Sequence, residues 1–460
     1  MRQHRRGLWV VALALAVVAC DSDSVGDLGT GPQNISLDSQ LRQSINQFGV
    51  FPMLPVATQD PALVDLGRSL FFDKILSGNR DVSCASCHNP VAHIGDGQSL
   101  AAGTGALIVN GLRRPGPGRE FTPRNAPSLF SSALGSFYMF WDGRLNQGFG
   151  PGTNAFQTPP GLTLPTGLSG LLAAQAMMPL INRVEMLGVA GDRDVFGNPN
   201  EMAQFTDAQN TAVWDAAMKR LLAVSAYLQK FNAAYPTVPA SQLGFQHAAN
   251  AIAAFETQTF TKAGSAFDRY LARDDNALSL DAKRGAVLFF GKARCASCHS
   301  GALLGAQQFA NGGVPQLGPG TGKAMPLDAG REDIFNSTQG PFFFFRVPPL
   351  RNVELSAPYM HNGAYATLEE VVRHYNNADS ALKAFDPTTL DASLRATYHG
   401  DAATITKLLA STDGRIRQPL ALTVDEQKQL VVFLKSLTDP TARDMSAVTP
   451  SSVPSGLPVR

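Results

Sequence analysis

A mainly α-helical fold of two domains with long irregular loops is what this sequence of 460 residues predicts, and three observations carry the reading. Apolar residues recur at helical spacing in several separated stretches. Pro and Gly punctuate the ground between them. One five-residue pattern, C-x-x-C-H, occurs twice. The length is about three times that of a typical domain, enough for two folded units and ancillary segments. With 44% hydrophobic and 16% charged residues, the bulk of the chain can build a core and is not disordered. Lys+Arg (38) against Asp+Glu (37) leaves a net charge of +1, without the broad positive field that attracts a phosphate backbone, so no nucleic-acid partner is expected.

The chain opens with an address. Arg2, His4, Arg5 and Arg6 precede an apolar stretch from Leu8 to Val18, too short to span a bilayer as a mature helix but suited to the core of a signal peptide. It ends in Val17-Val18-Ala19-Cys20, which resembles a bacterial lipobox whose cysteine is acylated; ordinary cleavage after Ala19 also satisfies the small residues there. Residues 1–20 are expected to be a lipoprotein signal peptide, with a periplasmic location and membrane attachment through a lipid on Cys20. Residues 21–48, rich in Asp, Ser, Gly and Asn and without a sustained apolar period, read as a flexible tether.

Five cysteines in so long a chain cannot form a disulfide scaffold, and four of them lie in the repeated pattern. Cys84-Ala-Ser-Cys87-His88 and Cys295-Ala-Ser-Cys298-His299 have the spacing that lets two thiols bond covalently to haem vinyl groups while the next histidine ligates iron. A redox dithiol or half of a zinc site would share the C-x-x-C core. Each motif, however, lacks a second ligand pair, and two copies in an exported chain favour two covalently bound haem c groups. Leu63, Leu66, Leu70 and Phe71 recur at helical spacing before the first motif, and Ala282, Ala286, Phe289 and Phe290 before the second, as entry helices of two cytochrome c-like haem domains. Helical patterns near 211–231 and 245–258 separate the halves. The expected division is an N-terminal haem domain at 49–240, a C-terminal haem domain at 241–440 and a tail at 441–460. Thr423 and Glu426 form a capping box opening a last helix whose Leu430, Val431, Leu434 and Leu437 share a face. Phe342 to Phe345 reads as a buried segment, and 148–168 as a loop.

Further motifs run in order through the chain: Leu66-Gly-Arg-Ser-Leu-Phe-Phe-Asp73, Arg124-Asn-Ala-Pro127, Phe140-Trp-Asp-Gly-Arg144, Val184-Glu-Met186, Ala254-Phe-Glu256, Phe267-Asp-Arg-Tyr270 and Pro358-Tyr-Met-His361. With the two C-x-x-C-H motifs, this series resembles the bacterial dihaem cytochrome c peroxidase family, which includes the MauG-type branch that oxidises protein residues.

The resemblance implies roles for particular residues. Gln175 and Glu185 fall at the catalytic positions of the wall facing the N-terminal haem, with Pro179 where a non-ligating residue leaves iron open to hydrogen peroxide. A carboxylate there can take a proton from peroxide and return it to the departing oxygen. Reductively activated family members carry a capping histidine in the loop after the first motif. Here only His93 lies between His88 and Arg124, too close along the chain to wrap to the opposite face. Tyr375, fourteen residues after His361, falls where the peroxidases carry a ligand methionine and the MauG branch a tyrosine. Thr367 with Glu370 caps its helix, and Leu368, Val371, Val372 and Tyr375 share one face. Met360 and His374 remain alternative ligands of that iron, since thioether and imidazole are common haem partners. Trp141 resembles the tryptophan that relays electrons between the haems. Asn125, Ser356 and Pro358 fall where the family binds calcium through one side chain and two carbonyls, oxygen donors suited to a hard cation.

The expected activity is that of a dihaem oxidoreductase using hydrogen peroxide. Its electrons come either from a periplasmic donor or from an oxidisable protein or small organic substrate. The alternative is a non-enzymatic dihaem electron-transfer cytochrome.

Overall fold

The computed structural model describes residues 36–134, 137–148, 156–305, 308–335 and 342–459. The signal peptide, Cys20 and the first part of the expected tether lie outside the described residues. Among the described residues 41% are helical and 8% are in strands, in line with the mainly α expectation. Its helices up to the second motif are α1 (Leu37–Gln47), α2 (Pro61–Phe72), α3 (Cys84–Cys87), α4 (Leu171–Ala176), α5 (Asn210–Leu222), α6 (Ser225–Ala234), α7 (Phe245–Phe260), α8 (Ala266–Leu271) and α9 (Leu280–Phe290). The strands are short and antiparallel, in three pairs and one three-stranded sheet among the described residues, the longest being the hairpin of Ala106–Val109 and Leu112–Pro115. Its turn, Asn110-Gly111, has both φ angles positive, as a two-residue hairpin with the sheet's twist requires.

The helices gather into two main hydrophobic clusters. In the first, α2 starts on Pro61 behind the Asp60 side chain, which accepts from Ala62 N and Leu63 N, and buries Leu66, Leu70, Phe71 and Phe72 against α7. In the second, α9 is capped by Ser279 and buries Ala282, Ala286, Phe289 and Phe290 against the helix Val424–Lys435. The two crossings are built alike. A Cβ on Gly67 of α2 would lie 1.9 Å from Ala251 O and 2.8 Å from Phe255 Cβ; one on Gly285 of α9 would lie 1.9 Å from Gln429 O and 2.9 Å from Phe433 Cβ. Each helix entering a haem motif thus meets its partner backbone to backbone. That contact outweighs the roughly 1 kcal/mol that a glycine costs inside a helix.

Three sequence-based boundaries change. The expected tether 21–48 is helical from residue 37: α1 buries Leu41 and Ile45 in the second cluster, and its Asp38 accepts from Tyr270 Oη (2.9 Å) and Lys283 Nζ. An amphipathic stretch of eleven residues this polar becomes a helix only when a core receives its few apolar side chains. The expected start of the C-terminal domain at 241 falls before α7, which packs on α2, so the first cluster continues to Phe260. The expected tail 441–460 is no free end: Ala442, Met445, Val453 and Leu457 join the first cluster. Ser455 Oγ donates to the buried Asp73 carboxylate (2.6 Å), and Arg68 Nε to Val448 O (2.8 Å). The N-terminal helix therefore belongs to the second cluster and the C-terminal segment to the first. As the sequence indicated, Phe343 and Phe345 are buried. The described part of the 148–168 loop is tied down, with Asn250 Nδ2 donating to Gly167 O and Leu162, Leu164 and Leu168 packing on the first cluster.

Gly285→Ala is expected to lower the unfolding free energy by about 1–3 kcal/mol, the usual cost of forcing a methyl group into a filled core. Gly414→Ala, where no atom lies within 4 Å, should leave it unchanged. Chemical denaturation of the two variants side by side checks this.

Candidate haem sites

Each C-x-x-C-H forms one tight turn that presents its histidine. Ser83 and Ser86 bracket α3, and His88 follows with its N–H donating to Cys84 O (2.9 Å); His299 N donates to Cys295 O in the same way (2.9 Å). His88 Nδ1 donates to Ile94 O (3.3 Å), and His299 Nδ1 to Leu304 O (2.9 Å). A carbonyl can only accept, so in both rings the proton sits on Nδ1 and Nε2 keeps its lone pair for iron. Burial pushes both imidazoles down to about 4, which holds them in the neutral, ligating form.

No disulfide joins the four motif cysteines, and burial pushes the thiols of Cys84, Cys87 and Cys295 up to about 12. A redox dithiol needs the opposite shift, and among the described residues no group of three or more His, Cys, Asp or Glu could hold a metal ion. The thiols and imidazoles present fit covalent haem, and the redox-dithiol and zinc readings fall away. His93 lies in the turn whose next residue, Ile94, accepts from His88 Nδ1, so it stays on the His88 side of this site.

The wall carrying the predicted catalytic residues runs from α4, which bears Gln175, through the turn begun by Pro179 to a wide turn at Arg183–Leu187. There Leu187 N donates to Asn182 O (2.9 Å) and Gly188 N to Arg183 O (3.1 Å), five residues back rather than four. Glu185 lies within this widened turn, of the kind often found at functional sites. Asn182 holds that side chain from both ends: its Oδ1 accepts from Val184 N and Glu185 N, and its Nδ2 donates to Glu185 Oε1 (2.9 Å). Burial raises the Glu185 carboxyl above its usual range, Arg144 pulls it back down, and Asp142 raises it. The carboxyl lies close enough to Cys87 to raise that thiol further. The motif series did not include Asn182, for which an Asn at a helix-start position was the available signal, and it named Arg144 only as the end of a motif, without a role. Glu256, quoted only as part of a motif, is 5% exposed, has no protein partner for Oε2, and is raised by burial to about 8 beside Cys84.

The second site opens on a cavity of about 210 Å³ lined by Cys295, Cys298, His299, Met360, Tyr375 and Trp141 among others. Tyr375 Oη reaches Met360 Sδ at 3.9 Å, so both candidate ligands converge on one spot. Burial raises the Tyr375 hydroxyl above its ordinary value, with the two cysteines adding to the effect. His374 is removed as an alternative: its Nε2 is bonded to Gly312 O (2.7 Å), its Nδ1 to Tyr365 Oη (2.9 Å), and it does not line the cavity. His361 does line it and is 3% exposed, with its ring stacked on Phe345 (3.6 Å) and Nε2 without a protein partner.

Trp141 lines this cavity and also a smaller one of about 120 Å³ beside it, whose walls include Asn125, Ser356 and Pro358. The three residues singled out for calcium are thus brought together. Asn125 Nδ2 donates to Gln98 O (2.7 Å) and Ser99 O, which leaves Oδ1 as the side chain's acceptor. Trp141 is fixed by Nε1 donating to Asn125 O (2.9 Å), and by its own carbonyl accepting from Arg346 N (2.6 Å).

The description "Di-haem cytochrome c peroxidase" matches residues 61–276. The methylamine utilization protein MauG of Methylorubrum extorquens is 31% identical over 316 residues, covering 68% of this chain and 69% of that protein. Cytochrome c551 peroxidase of Pseudomonas aeruginosa is 30% identical over 314 residues, covering 68% and 71%. A crystal structure of a MauG-like protein associated with microbial copper homeostasis superposes with a TM-score of 0.55 at 27% identity, covering 86% of this chain and 95% of that one.

The chain belongs to the di-haem cytochrome c peroxidase family, which includes the MauG type, and is a peroxidase-type oxidoreductase with two haem c groups. The non-enzymatic carrier reading is set aside by those relatives. Among the described residues, no helix is long and apolar enough to cross a membrane.

Replacing Cys295 and Cys298 by Ser should leave a protein with one covalent haem, and the unaltered chain should carry two. Intact mass and pyridine haemochrome absorbance read both numbers.

Proposed function

We propose that the protein is a periplasmic enzyme that reacts with hydrogen peroxide at the haem held by Cys84, Cys87 and His88. A second haem would be held by Cys295, Cys298 and His299, and Trp141, which lines that cavity, would stand on the path of electrons between the two. Haem, when bound, supplies an iron centre that receives peroxide and two oxidising equivalents; the remaining steps belong to the chain's own groups. Glu185 takes the proton from one peroxide oxygen and delivers it to the other, which departs as water. A carboxyl raised above its ordinary value is suited to both halves of that transfer. The observation that carries this reading is the Asn182 clamp, which fixes the Glu185 carboxylate on a widened turn close to Cys87. Gln175 contributes an amide on the same wall that can orient peroxide, and Pro179 brings no ligating atom.

Tyr375 would supply the oxygen ligand to the iron of the second haem. Its hydroxyl converges with Met360 Sδ in the His299 cavity, and an oxygen donor favours oxidised iron where a thioether favours reduced. That preference supports an enzyme that stores oxidising equivalents for an organic or protein substrate, as a MauG-like oxidase; the second reading is a peroxidase drawing electrons from a donor cytochrome. A calcium ion held by Asn125 Oδ1 and the carbonyls of Ser356 and Pro358 stiffens the ground between the sites. After removal of the signal peptide, a lipid on Cys20 would tether the enzyme to a membrane.

Glu185→Gln should retain both haems but slow the reaction with peroxide by about a hundred- to ten-thousand-fold, measured by stopped-flow absorption, because the amide cannot carry the proton. Unchanged kinetics reject its role. Tyr375→Phe should perturb the low-spin ferric EPR signal and leave the high-spin signal intact. Loss of the low-spin signal in Met360→Leu, with none in Tyr375→Phe, would transfer the ligand role to Met360.

A further inference from the structure

We propose that Tyr365, hydrogen-bonded to His374 behind the second haem cavity, is an oxidisable relay that carries oxidising equivalents outward from that haem to Tyr398. The inference rests on the peroxide reading above. It begins with a proton assignment. His374 Nε2 lies 2.7 Å from Gly312 O, and a carbonyl can only accept, so Nε2 carries the ring proton. Nδ1 is therefore an acceptor, and the Tyr365 hydroxyl, 2.9 Å away, donates to it. Tyr365 is 9% exposed and His374 1%, so water does not compete for this bond. A phenol is hard to oxidise if its proton must stay, since the radical cation is a strong acid. A neutral imidazole already in line removes that obstacle.

The position completes the argument. The His374 ring is 5.1 Å from the ring of Tyr375, which lines the haem cavity, and 5.3 Å from that of Tyr365. Beyond Tyr365 the contacts continue to Phe385 (5.7 Å) and from it to Tyr398 (5.3 Å), which is only partly buried. Aromatic rings thus touch in series from the cavity toward solvent. The step balances as follows. Tyr365 loses one electron to the second haem, which the peroxide reaction has left oxidised, and passes its hydroxyl proton to His374 Nδ1. The products are a neutral phenoxyl radical and an imidazolium, whose remaining Nε2–H still meets Gly312 O. A one-electron donor arriving at Tyr398 returns the electron through the same series, and His374 returns the proton. His374 is a positioning residue that acts through Tyr365.

The test uses the full diferric holoprotein mixed with one equivalent of peroxide and frozen, with haem absorption and EPR read on the same sample. The expected result is a tyrosyl signal near the free-electron position that narrows when ring-deuterated tyrosine is incorporated, and that shows a hydrogen-bond proton coupling lost in D2O. Tyr365→Phe, checked for two haems, should reduce the signal at least fivefold. Tyr398→Phe should keep the signal but slow its quenching by added ascorbate severalfold. If peroxide leaves the haem spectrum unchanged, the peroxide reading fails. Flash-generated ruthenium(III) then supplies the oxidising equivalent instead, and the same Tyr365-dependent radical is expected. A radical that persists at full size in Tyr365→Phe, or no radical with either oxidant, overturns the proposal; equal quenching in Tyr398→Phe overturns its outward course.

Discussion

Arg124 is 8% exposed, and its guanidinium is shared between two buried carboxylates. Nε and Nη2 donate to Asp328 (2.6 and 2.8 Å), and Nη1 to Asp142. Despite the cost of burying them, Arg124 holds both carboxyls well below their ordinary range, so the cluster stays ionised. Breaking a buried pair of this kind typically costs about 3–5 kcal/mol, because the abandoned charge has no water to turn to. What the cluster fixes is the ground between the two haem sites. Asn125, next in sequence, donates through its N–H to His361 O (2.7 Å) and accepts from Trp141 Nε1. Asp142, next to Trp141, also accepts from Arg144, whose charge pulls on Glu185. Asp328 is tied in turn to Thr321 and Gly330. A single guanidinium therefore sets the place of the tryptophan, of the candidate calcium side chain and of the cation whose charge acts on Glu185.

Around that wall the two clusters repeat one device. A helix runs into the C-x-x-C-H turn and crosses a later helix at a glycine, so that backbone meets backbone and the motif histidine hangs at a fixed distance from the crossing. The proximal imidazoles are then held by backbone carbonyls, among them Ile94 O for His88 and Leu304 O for His299. The difference between the sites lies on the opposite walls. A widened turn with an Asn-clamped carboxylate suits proton transfer at the first, and a phenol beside a thioether suits ligation at the second. The chain ends bind the whole by exchange, α1 in the second cluster and the residues after Ala442 in the first, so each cluster is closed by the far end of the polypeptide.

Much of this was legible in the amino-acid sequence, for a physical reason. The covalent haem motifs, the entry helices before them, and the capping boxes at Thr367/Glu370 and Thr423/Glu426 are local patterns. Each is decided within a few residues by hydrogen bonds and periodicity, so the sequence alone determined them, along with the near-neutral charge and the family to which the ordered motifs point. What only the tertiary structure decided are matters of distance in space between residues far apart in the chain. The helicity of α1 depended on a core supplied by residues 267–437, and the docking of 442–457 on a cluster begun at Leu66. The exclusion of His374 as a ligand rests on Gly312 O, sixty-two residues away, which also fixes the proton that leaves its other nitrogen to Tyr365. No local pattern encodes such meetings, because an imidazole's partner is chosen by packing, and packing is settled only when the whole core closes.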